Sequence, residues 1–209
     1  MKTYGRLALA LSIGLVFCSI EHSYGAELDA ADAAGIRKFE GGHPFLLGFL
    51  GVMGAIGNLE DRTVLEFDVG ALPPAARRPI ELILPVSNID QPGGPPGWIN
   101  VFTFIGGGVV HSSDFFAGDP FATISSGDGA VETLNLDVTT AVQDTIANGG
   151  RFLAFRLSTT SEDRYFLGRE FGLPDPTLSF SVPERSTWAM MLAGFAGLGF
   201  AGYQRTRAA

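Results

Sequence analysis

Few residues in this sequence have the types and spacing for chemistry. His111, Ser112, Ser113 and Asp114 stand together behind the triplet Gly106-Gly107-Gly108. A serine–histidine–acid set works when distant residues converge and the base is hydrogen-bonded to the nucleophile. Four consecutive residues read more simply as a polar turn. Glycoside hydrolysis needs two carboxylates facing each other at a defined separation. Glu60 with Asp61, and Glu162 with Asp163, are adjacent in sequence, which leaves their facing open. The glycine triplet lacks the Gly-Lys-Ser/Thr continuation, and the helix behind it, that a phosphate cradle needs.

Metal chemistry is equally sparse. Beyond the N-terminal segment the histidines are His43 and His111, with no His-x-x-x-His spacing, so no zinc site is expected. Asp114, Asp119 and Asp128 lie in glycine-containing loops and are the candidate calcium ligands, because hard cations accept scattered carboxylates and carbonyls. No segment has the EF-hand spacing, and acidic turn residues account for the same pattern. No other cofactor is expected. Among the aromatics Trp98, Phe102, Phe104, Phe115, Phe116 and Phe121, Trp98 is the candidate for stacking on a sugar face, entered through a proline-rich loop. Core packing is the competing use of such rings.

The elements that must position these residues are strands. Gly 28 and Pro 12 in 209 residues favour a loop-rich β protein over a helical bundle. Period-two alternation marks Arg62–Val69, where Leu65, Phe67 and Val69 oppose Glu66 and Asp68. Similar runs follow at Ile80–Leu84, Ile99–Ile105, Leu134–Val138, Phe152–Ser158 and Thr177–Val182. This predicts an all-β antiparallel β-sandwich with one short helix. Thr140 and Gln143 form the expected capping box of that helix, Val138, Val142 and Ile146 its apolar face, and Asn148-Gly149-Gly150 its stop. The apolar, glycine-spaced Phe45–Ile56 run is expected to give one or two early strands with close backbone packing.

Charge narrows the partners. The formal net charge is -8. Residues 26–181 are more acidic still, with 20 acidic against 9 basic residues. Nucleic acid is excluded as a partner, since phosphate binding needs clustered Lys and Arg.

Both ends are apolar. Lys2 and Arg6 precede an uncharged run from Leu7 to Ile20, then small residues: a secretory signal peptide, residues 1–25, with cleavage after Gly25 or Ala26. Cys18 leaves with it, so the mature chain has no thiol and no disulfide. At the other end, Trp188–Tyr203 is uncharged and about 24 Å long as a helix. Aromatic residues sit at its two borders, and Arg205 and Arg207 form a basic stop that keeps the tail cytoplasmic. The expected topology is an exported body tethered through a transmembrane helix at 188–203.

The segment Val182-Pro183-Glu184-Arg185-Ser186-Thr187-Trp188, the short apolar span and the terminal arginines resemble the PEP-CTERM sorting signal of exported Gram-negative proteins. Arg185 stands where that family has a second proline. The resemblance implies an exosortase-type membrane processing enzyme as partner, and delivery to the cell surface or exopolysaccharide matrix. LEFDVGALP (65–73), LNLDVTTAVQ (134–143) and FLAFRLS (152–158) are similar to the DNRLRE-like, carbohydrate-binding-module-like sandwiches of secreted proteins. That resemblance implies a jelly-roll-like domain over 61–181, preceded by lead-in strands at 26–60 and followed by the sorting signal at 182–209. The function expected is a non-enzymatic structural or adhesive module touching exopolysaccharide; a secreted glycan hydrolase is the alternative.

Overall fold

The computed structural model describes residues 23–47, 51–73, 76–88, 97–126, 131–159 and 165–183, together with residue 191 and residues 194–196. Ser23–Arg185 form one compact unit. Its early strands are β1 (Ser23–Asp29), β2 (Asp32–Phe39), β3 (Phe45–Leu46), β4 (Val52–Ile56) and β5 (Leu59–Asp68). There follow β6 (Arg77–Ser87), β7 (Trp98–Gly106), β8 (Asp119–Ser125) and β9 (Val131–Asp137). The α-helix among the described residues of this unit is α1 (Thr139–Ala147), and β10 (Phe152–Thr159), β11 (Tyr165–Phe166) and β12 (Thr177–Pro183) complete the order.

Every pairing described is antiparallel, and the strands run β1-β12-β6-β11-β4-β5-β10-β7-β8, with β9 on β6, β2 on β5 and β3 on β2. Strands on either side of the β11–β4 junction contribute to one apolar core. Leu82, Leu84 and Leu178 come from one side; Leu65, Phe67, Val101 and Phe155 come from the other. Burying side chains of this size stabilises the unit by roughly 1.5–3 kcal/mol each. The fold is thus mostly antiparallel β with one short helix. Among the described residues no helix is long and apolar enough to cross a membrane. The expected span at 188–203 falls outside the described residues, apart from the helical residue 191 and residues 194–196.

Local chemistry explains two irregularities. Pro79 in β6 has no N–H to give the ladder, and the β12 register slips there: Phe180 pairs with Ile80 but Ser181 pairs with Arg77. At Gly51, φ is +80° and an added Cβ would lie 2.6 Å from Leu167 Cβ. Only glycine allows that backbone to pack so closely, which accounts for one of the spaced glycines of the 45–57 run. That run supplies β3 and β4.

Two expectations are corrected. The helix begins one residue before Thr140. Asp137 Oδ1 accepts the Thr139 N–H at 2.9 Å, and Thr139 Oγ1 accepts the Ile80 N–H at 2.9 Å, stitching the helix start to β6. Thr140 is therefore an exposed residue of the first turn and not the cap. Of the expected apolar face, Val138 and Val142 are buried, with Ala141 and Thr145 beside them, while Ile146 is half-exposed. The second correction concerns β5. Glu66, assigned to solvent by alternation, is buried, as are Val64 and Arg156 beside it. A loop folds over that face of the sheet.

Candidate functional site

Residues directly opposite in antiparallel strands share a face. The register therefore defines the face of β2, β5, β10, β7 and β8 turned away from the main core. Across it run Glu66, Ala154 and Phe104; then Val64, Arg156 and Phe102; then Arg62; then Asn100 with Thr123, and Trp98 with Ser125. The face divides into a covered half and an open half.

The covered half lies under residues 107–117. Here Ile36, Val64, Val110 and Phe115 form a second apolar cluster, with Ala34 and Phe104 against it. Opposite charges hold the two ends of the loop. On its first half the free groups are backbone N–H donors: Glu66 Oε2 accepts from Gly108, and Asp32 Oδ2 accepts from Val110 at 2.7 Å. On its second half they are carbonyls: Arg62 Nη1 donates to Phe115 O, and Arg156 Nε donates to Ala117 O at 2.6 Å. The same guanidiniums stack, Arg62 4.1 Å from the Phe115 ring centroid and Arg156 3.7 Å from that of Phe102. Each charge meets the backbone dipole of opposite sign, the arrangement that makes hydrogen bonds strongest.

Titration follows from this placement. Burial raises the Glu66 carboxyl above its ordinary range; the Gly108 and Gly107 N–H groups act against that, and Asp114 and Asp32 add to it. Burial also lowers Arg156 to about 10, with the Arg62 charge pushing the same way and Glu60 opposing.

The open half carries Trp98, 51% exposed, with Asn100, Thr123 and Ser125 beside it. Thr123 Oγ1 donates to Asn100 Oδ1 at 2.9 Å, which orients both side chains at the surface. A large flat ring next to fixed hydroxyl and amide groups can take the apolar side of a sugar while the polar groups meet its hydroxyls.

The remaining candidate residues are distributed as follows. Asp114 Oδ2 accepts the His111 N–H at 2.7 Å, tying the turn His111–Asp114 to itself. Asp119 opens β8 on the surface, and Asp128 lies outside the described residues. Among the described residues no three His, Asp or Glu side chains are grouped to hold a metal ion. Glu60 bonds Arg62 on the outer face, whereas Asp61 bonds Arg37 on the core side through two contacts of 2.7 and 2.8 Å. Glu162 and Asp163 are outside the described residues, as are Glu184, Ser186, Thr187, Trp188, Arg205 and Arg207. Val182 and Pro183 end β12, opposite Tyr24 and Ser23 of β1. Gly25, after which leader cleavage is expected, pairs with Ser181.

Sequence reasoning missed Glu66, Arg62, Arg156 and Asp32. The available signal was the glycine triplet: a Cβ at Gly106 would lie 2.7 Å from Glu66 Cδ, so the triplet marks where the backbone passes a buried carboxylate. No protein-family model matches the chain, and no curated protein matches it.

Proposed function

We propose that this chain is an exported surface or matrix module, a non-enzymatic jelly-roll-like sandwich that contacts polysaccharide through the Trp98 face. The observation that carries the reading is the half-exposed Trp98 ring, held on a sheet face beside the oriented Asn100–Thr123 pair. The two apolar termini support export, and the PEP-CTERM-like tail supports tethering before processing by an exosortase-type enzyme. In this reading Val182, Pro183, Glu184, Ser186, Thr187 and Trp188 form the sorting motif, with Arg205 and Arg207 as its basic stop. Leader removal after Gly25 leaves Ala26–Asp29 of β1 paired with Phe180–Thr177 of β12, so the exported body keeps that edge strand.

Retention of the full chain on exopolysaccharide extracted from its host tests the sugar-contacting part. Trp98→Ala is expected to weaken retention about tenfold, near 1.4 kcal/mol, with the unfolding transition unmoved. Equal retention by mutant and parent overturns it. A stop codon at Glu184, which spares all of β12, is expected to move the protein from the membrane fraction to the soluble exported fraction. Unchanged fractionation overturns the sorting reading.

A further inference from the structure

We propose a second binding site, for a neutral sugar ring, in the groove between α1 and the β7–β8 ribbon. It lies on the core side of these strands and is distinct from the Trp98 face. The groove measures about 340 Å³. That is at the small end of the ~300–1,000 Å³ range of ligand pockets, which suits a compact ligand.

Its two walls differ in character. The strand wall is Thr103, Ile105 and Phe121, and the helix wall presents Thr140, Asp144 and Asn148. Phe121 reaches this wall because of a register slip in the β7–β8 pair, where Val101 faces Ala122 but Phe102 faces Pro120. The extra residue breaks the alternation, and Phe121 and Ala122 both pack on the core side. Ile105 is left 55% exposed next to it, an apolar surface with no covering side chain of its own. Thr140, Asp144 and Asn148 recur every four residues and so line one helix face. Asn148 Nδ2 donates to the Asp144 carbonyl at 2.8 Å, fixing the amide. Among the described residues the Asp144 carboxylate has no hydrogen-bond or ion-pair partner.

This combination selects the ligand class. An aromatic and aliphatic wall suits the C–H side of a pyranose. A carboxylate, an amide and hydroxyls suit its ring of hydroxyl groups. Among the described residues no lysine or arginine lines the groove, and Asp144 repels an anion, so an anionic sugar is disfavoured.

The test is an amide NMR titration of the full-length chain with D-glucose, D-galactose and N-acetylglucosamine, and with D-glucuronate as the anionic comparison. At least one neutral sugar is expected to shift the amides of Thr140–Asn148 and Thr103–Ile105 saturably. Asp144→Ala and Asn148→Ala, both at exposed positions, are each expected to weaken that binding at least tenfold. Shifts confined to Trp98 and Asn100 would support the outer face and overturn the groove. Glucuronate binding as tightly as the neutral sugars, or no shift along α1 with any of them, also overturns it.

Discussion

The Glu66 carboxylate on β5 accepts the backbone N–H of Gly108, a residue 42 positions further along the chain. This contact anchors the loop over the sheet and places a buried negative charge beneath it. A carboxyl raised by burial binds its proton more tightly in the folded than in the unfolded state. Between the ordinary carboxylate range and that raised value, unfolding free energy therefore falls as pH rises, then levels off. Glu66→Gln cannot titrate. Urea unfolding from about pH 4 to pH 7 is expected to show a flatter pH dependence in this variant than in the parent. Parallel curves for the two proteins would dissociate Glu66 from the pH response.

Arg156 on β10 holds the other end of the loop through the Ala117 carbonyl, and its guanidinium stacks on the Phe102 ring of β7. Lysine keeps the charge but loses the flat guanidinium, so Arg156→Lys should cost about 1–2 kcal/mol. Arg156→Ala also leaves the Ala117 carbonyl unsatisfied and a void beside Phe102, and should cost about 2–4 kcal/mol. Equal losses in the two variants would assign the whole effect to the guanidinium's bond and stack and none of it to charge. Denaturant midpoints at constant slope measure both.

Gly51 and Gly57 both have positive φ, yet only Gly51 has a neighbour within reach of a Cβ. Gly57→Ala is thus expected to cost about 1 kcal/mol of backbone strain alone. Gly51→Ala must in addition displace Leu167 and should cost roughly 3 kcal/mol or more. Thermal unfolding of the two variants side by side reads the difference.

Tyr165 is buried in the core, and its hydroxyl shares a hydrogen bond with Ser126 Oγ, which also donates to the Gly97 carbonyl at 3.3 Å. The ring supplies apolar burial and the hydroxyl ties β11 to Ser126 at the end of β8. Tyr165→Phe should lose about 1 kcal/mol, whereas Tyr165→Ala should lose roughly 3–5 kcal/mol. A Phe variant as unstable as Ala would place the main contribution in the polar network.

Six strands are legible from alternation alone, since β5, β6, β7, β9, β10 and β12 each contain a run predicted from period-two patterning. β2 and β8 are not. The β2 sequence Asp32-Ala33-Ala34-Gly35 has little apolar contrast, and the β8 alternation is interrupted by the slip at Phe121. The helix is legible, but its start is not. Thr139 and Thr140 both read locally as caps, yet the N-cap is Val138 and Thr139 is already helical, its Oγ1 taken up by the Ile80 N–H of β6. Trp98 is identifiable as a stacking candidate, while its exposure depends on which face of β7 the loop leaves open.

Acid-rich composition, apolar ends and strand periodicity are properties of neighbouring residues, and the sequence by itself determined them. Which polar groups lie under cover is a different matter. Glu66 and Arg156 read as solvent-facing in their own strands, and only a loop distant in sequence, with N–H groups at one end and carbonyls at the other, makes their burial tolerable. Tertiary structure decided that, because the partners that satisfy a buried charge here are backbone groups, which no residue type announces.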